Sequence, residues 1–183
     1  MAIVEPTKTW KLLEERLAVT TNERHRQVLS IVIEHMKAEA VPDLDGLMKT
    51  LTPEPDYHFW QAGQDVGPKG WDGVHAYYSA FVASKSNILE FELDRLLVDD
   101  DCVVTEGYLR QIYPGAYAAQ IGIPVDDPEA DYLIAFRQLL LWPVDENGLI
   151  VGEDSYHSGP TEIRKLSFDE LPAEYIELVH SAV

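Results

Sequence analysis

The chain has 183 residues, enough for one domain with a core of its own and too few for two comfortable ones. Fourteen Lys and Arg stand against 32 Asp and Glu, a formal charge of −18, and the basic residues form no run, so a phosphate backbone or an anionic membrane surface is a poor partner. Hydrophobic content of 46% is that of a globular protein, no segment is long and apolar enough to cross a bilayer, and the single Cys102 excludes an intramolecular disulfide or a multi-cysteine metal site. A charged N-terminal helical pattern argues against a secretory signal, and with one cysteine this points to the cytoplasm.

The first third reads as helices. Trp10, Leu13 and Leu17 make one stripe in a helical extension over residues 1–20. A capping box from Thr20 to Glu23 opens a second helix, with Val28, Ile31, Val32, His35 and Met36 at helical spacing. Pro42 starts a third, short helix, with Asp43 suited to its first turn. "DYHFWQ" is a short aromatic strand, and the glycines of "GQDVGPKG" form a loop that matches neither the P-loop nor the dinucleotide spacing. "WDGVHAYYSAFVASK" then places Val74, Tyr77, Tyr78, Phe81 and Val82 on one helical face.

From Ile88 onward the period changes to two. "ILEFELDRLLV" and "CVVTEGYLRQIY" are strands joined by an acidic turn. "YLIAFRQLLLWPV" and "GLIVGEDSYH" form a second hairpin about Glu146–Asn147–Gly148. Residues 114–131 interrupt the strands as an insertion too long for a hairpin turn, either a lid or a dimer arm. A capping box from Ser167 to Glu170 precedes a C-terminal helix. Runs of elements without strict βαβ alternation predict an α+β fold: a curved antiparallel sheet wrapped around helices, with a cavity where it curls.

The segments "AEAVPDLDGLMKTL", "DYHFW", "GWDGVHAYYSAFVAS" and "DENGLIVGEDSYHSG", in that order, resemble the nuclear-transport-factor-2-like superfamily, which holds SnoaL-like polyketide cyclases and ketosteroid isomerase. The resemblance covers roughly residues 22–157 and implies a single cone-shaped domain, commonly a homodimer, whose interior holds the ligand. It implies a general base on the first strand, near His58 or Trp60, and an acidic residue on the last strand, Glu153 or Asp154. The His–Asp pair of scytalone dehydratase falls at Ala40 and the "SKSN" region, where neither half is present.

Parity on the last strand separates Ile150, Gly152, Asp154 and Tyr156 from Val151, Glu153, Ser155 and His157, so one acid points inward and the other outward. The expectation is Asp154 inward; with the opposite register, Glu153 and His157 replace it. His58, with a reference pKa near working pH, is the expected base and Asp154 its acidic partner. Arg137 lies mid-strand and needs a carboxylate, with Asp154 the plausible one. Tyr57, Trp60, Tyr78, Tyr108, Arg137, Tyr156 and His157 are expected around the ligand, while His25, His35 and His180 offer no constellation. No zinc spacing and no nucleophile elbow occur, so no metal or organic cofactor is expected. The expected activity is proton transfer of a cyclase, isomerase or dehydratase kind on a small, apolar, carbonyl-bearing molecule. The alternatives are a non-catalytic binder of a hydrophobic ligand and a dimeric assembly module.

Overall fold

A computed structural model describes residues 3–41 and 43–180. The expected helix start at Pro42 lies outside the described residues. Helix α1 spans Lys8–Val19, α2 Glu23–Ala40, α3 Leu44–Lys49 and α4 Gly70–Ala83. Strands β1 (His58–Gln61) and β2 (Gln64–Asp65) lie between α3 and α4. After α4 come β3 (Leu89–Val98), β4 (Cys102–Pro114), helix α5 (Gly115–Gln120), β5 (Asp131–Pro143) and β6 (Asp154–Leu166), and α6 (Ala173–His180) ends the described chain.

The caps follow the local chemistry with two adjustments. Asn22, not Thr20, caps α2, its carboxamide oxygen accepting from the Arg24 and His25 amides. Asn22 stands next to the first helical residue, so its short side chain reaches both orphan donors. Asp43 caps α3 by accepting from the Gly46 amide. The Ser167–Glu170 box is present, but it closes a 3-10 turn ahead of α6.

The strands form one curved, unclosed six-stranded sheet in the order β2-β1-β6-β5-β4-β3. Its long members pair antiparallel, and β1 joins β6 in parallel. The β5–β6 hairpin turns where expected: Gly148 takes φ +87° and donates its amide to Asp145. That φ lies in the left-handed region that glycine enters without a steric penalty.

Helix α2 fills the concave side. Val28, Leu29, Val32, Ile33 and Met36 are buried against Tyr57, Val74, Tyr78, Trp142 and Ile150. Each such apolar side chain contributes roughly 1.5–3 kcal/mol relative to exposure. Trp142 satisfies its indole N–H on the Thr105 hydroxyl at 3.0 Å. Helix α1 packs on α2 and β3 through the buried Leu13, and α6 covers the opposite sheet face at Ile112, Leu133 and Leu166. Residues 114–131 carry α5, whose Ala118 is buried with Tyr113, Tyr132 and Ile134. The tight start of α5 needs Gly115, since a Cβ there would lie 2.5 Å from the Ala130 carbonyl oxygen.

Candidate active site

A cavity of about 370 Å³ opens between α4, α5 and the concave sheet face, and a deeper lobe of about 100 Å³ continues toward α2. Six Phe and Tyr side chains line the wall: Phe59 from β1, Tyr77 and Phe81 from α4, Tyr113 and Phe136 from the sheet, and Tyr117 from α5. The polar lining is Gln61, Ser86, Gln111, Gln138, Ser155, His157, Glu153 and, in the deep lobe, Glu39 and Thr9. Neither lobe is lined by Lys or Arg among the described residues.

Two carboxyl groups meet in this apolar space. Glu153 lies just before β6, is 8% exposed, and borders both lobes. Burial, the neighbouring Glu39 and then Asp154 push its carboxyl well above the ordinary range. Glu39 sits in the last turn of α2, and burial pushes its carboxyl up to about 7. Glu39 is half-buried and lines the deep lobe. Two like charges in a low-dielectric pocket oppose each other's ionisation, so the pair holds at least one proton near neutral pH.

The amides are fixed in place. Gln138 donates to the Ser155 hydroxyl at 3.0 Å, and Gln111 donates to the Ser86 carbonyl at 2.5 Å while accepting from the Tyr113 hydroxyl. Beneath the cavity a second polar chain runs through fully buried side chains. His35 bonds Thr50 at 2.6 Å and Tyr78 at 2.8 Å, and Tyr57 bonds Tyr78 at 3.0 Å. Burial alone drives the His35 pKa down to about 3, so its ring is neutral.

The structure divides the expected site residues between two faces. His157 lines the cavity mouth. Tyr57 and Tyr78 lie fully buried below the cavity, joined to His35. His58, Trp60, Tyr108, Arg137, Asp154 and Tyr156 belong to the convex side and do not line the cavity. His58 pairs with Asp65 at 2.7 Å and stacks on Trp60, which stacks on Tyr156. Arg137 joins Asp94 and Glu106 and lies over the Tyr108 ring at 4.9 Å, with no bond to Asp154.

The inward placement expected for Asp154 is therefore corrected to Glu153, and the reason is local. Parity assumed an unbroken strand from Ile150, whereas regular pairing begins only at Asp154. Across residues 151–153 the chain is held by Asp56 and His58 amides donating to the Val151 and Glu153 carbonyls. Gly152 permits this approach, since a Cβ there would sit 2.0 Å from the Asp56 carbonyl oxygen. The alternation slips by one, and Ile150, Glu153 and Ser155 all end up buried. Because β1 pairs with β6 in register, His58 opposite Asp154, the same slip turns His58 outward and Phe59 inward.

Glu39 had a signal in the sequence: it continues the buried stripe of Val32, His35 and Met36 one turn further, an acid at an apolar position. One group with metal-ligand spacing occurs among the described residues, His25, Asp99 and Asp100. It lies away from the cavity, with His25 and Asp100 3.2 Å apart.

The SnoaL-like domain profile matches residues 32–153, from the middle of α2 to Glu153. The chain belongs to the SnoaL-like domain family. The match begins on α2, which carries Glu39, and ends at Glu153 itself. Among solved structures, a protein described as a SnoaL-like polyketide cyclase, from Shewanella putrefaciens CN-32, aligns over 86% of this chain and 90% of its own, with 13% identity and a TM-score of 0.60. A second protein so described, from Shewanella denitrificans OS-217, gives 15% identity and 0.59 over 72% and 90% of the two chains. SalBIII, an epoxide hydrolase/cyclase-like enzyme with a role in pyran ring formation in the polyether salinomycin, gives 15% and 0.55 over 77% and 97%. At these identities the likeness is one of SnoaL-like fold. Comparison with curated proteins finds no match. Among the described residues of this SnoaL-like chain, no helix is long and apolar enough to cross a membrane.

Proposed function

We propose that this chain is a cofactor-independent acid/base enzyme of the cyclase type, acting on an uncharged, mainly apolar small molecule that bears a carbonyl or similar oxygen. The observation that carries the reading is the meeting of Glu39 and Glu153 in one aromatic-walled cavity. A carboxyl pair with raised and mutually dependent pKa values supplies an acid and a base at the same pH. The carboxylate takes a proton from the carbon next to the carbonyl, the C–H electron pair moves into the carbon skeleton, and the carboxylic acid delivers its proton to the oxygen. The resulting enol carbon closes a ring on a second carbonyl carbon, whose C=O π pair moves onto its oxygen and takes the proton abstracted earlier, while the enol O–H returns its proton to the other carboxylate. Alternatively, the enol is reprotonated on another carbon. His157 and the Gln138–Ser155 pair offer hydrogen bonds at the mouth and along the wall.

The substrate class follows from the lining. A volume of about 370 Å³ is at the small end of ligand pockets and suits a compact two- or three-ring molecule. With two acids and no Lys or Arg on the walls, a carboxylate or phosphate in the substrate would have no counter-charge. The cyclase descriptions of the structural neighbours support the choice among proton-transfer reactions.

The test is turnover of a panel of neutral aromatic polyketones and hydroxy-epoxides, followed by mass spectrometry and ultraviolet absorbance, with Glu153→Gln and Glu39→Gln beside the parent. Conversion by the parent and its loss in both variants supports the reading. Saturable binding with no conversion would replace it with a ligand carrier, and full activity in both variants would refute it.

A further inference from the structure

Four polar side chains border both lobes of the cavity: Tyr77, Gln111, Gln138 and Glu153. Two of them are tied down, Gln111 between the Ser86 carbonyl and the Tyr113 hydroxyl, and Gln138 on the Ser155 hydroxyl. Among the described residues, the Tyr77 hydroxyl and the Glu153 carboxyl have no hydrogen-bond partner. An enclosed tyrosine usually finds one. Tyr78, the next residue on α4, does so in the chain that runs through His35 and Thr50 to the Leu47 carbonyl. One step along a helix turns a side chain by roughly 100°, so Tyr78 enters the core while Tyr77, 38% exposed, lines the cavity. Its ring is fixed edge to face between Phe59 at 5.3 Å and Tyr78 at 5.1 Å. Its hydroxyl lies among the cavity's own groups: burial comes first, then Glu153, Glu39, Tyr113 and Tyr117, in holding its pKa well above the ordinary value. The phenol therefore keeps its hydrogen and has no protein group to give it to.

We infer that Tyr77 is a catalytic residue of the proposed reaction, its hydroxyl donating a hydrogen bond to the substrate's carbonyl oxygen where the two lobes join. A carbonyl oxygen has two lone pairs, so it accepts from Tyr77 on one and takes the proton of the carboxylic acid on the other. Tyr77 keeps its own hydrogen throughout, and no covalent bond of its side chain forms or breaks. The hydrogen bond strengthens as negative charge grows on the oxygen, so it favours the transition state over the bound ketone. It also sets selectivity. A hydrocarbon of the same shape leaves the phenol unpaired, whereas a carbonyl compound satisfies it. The sequence placed Tyr77 on the apolar face of its helix, and the fold leaves the polar end of that side chain in the cavity without a partner.

The inference rests on the acid/base reading of the cavity, but its first test does not need turnover. The probes are β-acetonaphthone and β-isopropenylnaphthalene, in which a methylene group replaces the carbonyl oxygen. The parent is expected to bind the ketone about tenfold more tightly than the hydrocarbon. Tyr77→Phe removes one oxygen, keeps the ring contacts, and is expected to bind the two probes alike. The carbonyl infrared band of the bound ketone should lie at lower wavenumber in the parent than in the variant, because an accepted hydrogen bond weakens the C=O bond. On a substrate that the parent converts, Tyr77→Phe should lower kcat/KM by about 100-fold. A tyrosine that only fills space would leave the ketone preference and the band unchanged in the variant, and that result overturns the assignment. So does equal affinity of the parent for the two probes, absence of binding included, or a bound carbonyl band at its position in cyclohexane. These last outcomes are read on the parent and stand even if the variant does not fold. A ketone preference that disappears in Tyr77→Phe, without conversion of any substrate, supports the carbonyl contact and removes only the acid/base reading above it.

Discussion

Glu153 and Asp154 are consecutive acids on opposite faces of one sheet, and the contrast between them shows what makes a carboxyl reactive in this fold. Burial raises the pKa of both. On the convex face Asp154 stays raised by burial, but the charges of His58 and Lys69 oppose part of that rise while Asp65 and Asp56 add to it. On the concave face Glu153 meets a second acid and no cation, so every influence pushes it the same way. The two histidines repeat the pattern. His58 lies in a half-exposed network with Asp65, Lys69 and Asp56, while His35 is neutral and fully buried, with both ring nitrogens engaged. Charge that is answered locally builds surface structure; charge left unanswered in a dry cavity is available for a substrate.

The sharpest way to break this comparison is to neutralise one acid at a time. Glu153→Gln is expected to lower turnover by about 100-fold or more, the range for loss of a general acid or base, whereas Asp154→Asn should stay within about threefold. Equal losses in steady-state assays would erase the distinction between the faces.

Next in size is a stability effect with a definite sign. Glu39 is held at about 7 against an ordinary value of 4.5, so the folded form keeps its proton across that window. Its stabilising contribution is present below the ordinary value and is lost as the pH rises through the folded value. Glu39→Gln should therefore be more stable than the parent by roughly 2 kcal/mol at pH 9 and equal to it near pH 4. Paired urea titrations at the two pH values measure this, and a pH-independent difference would contradict the placement of Glu39.

The α5 segment gives a smaller effect. Tyr117 on α5 lines the cavity and stacks on Tyr113 at 6.1 Å. Tyr117→Ala should weaken binding of a neutral aromatic ligand by about tenfold, on the order of one aromatic contact, while leaving the pH profile in place. Fluorescence titration reads the affinity. The smallest effect belongs to the convex network: His58→Ala should change stability by less than about 1 kcal/mol and ligand affinity not at all. Thermal unfolding together with the same fluorescence titration checks both parts.

Most element boundaries were legible because they depend on neighbours in sequence. The helical stripe from Val28 to Met36, the two-residue period of β3, the turn at Gly148 and the box from Ser167 to Glu170 each express a local rule of geometry or hydrogen bonding. The SnoaL-like resemblance worked for the same reason, since it rests on the order of those elements. The site was legible only in part. His157 could be placed at the cavity and the acidic pair at residues 153–154 could be singled out, but the choice between the two acids turned on a one-residue slip.

That slip is decided by contacts no strand contains within itself. Gly152 meets the Asp56 backbone, the chain at residues 151–153 is held by the Asp56 and His58 amides at the start of the neighbouring β1, nearly a hundred residues away in sequence, and the parallel register of β1 on β6 passes the same shift to His58 and Phe59. Composition and periodicity thus determined that a charged, single-cysteine chain folds helices against a curved sheet. Only the tertiary structure brought the end of α2 to the start of β6, setting Glu39 beside Glu153 above a hydrogen-bonded chain anchored on Leu47. The physical reason is range. Local rules act over a turn or a strand, whereas the pKa of a buried acid is set by whatever the fold places within a few ångströms of it.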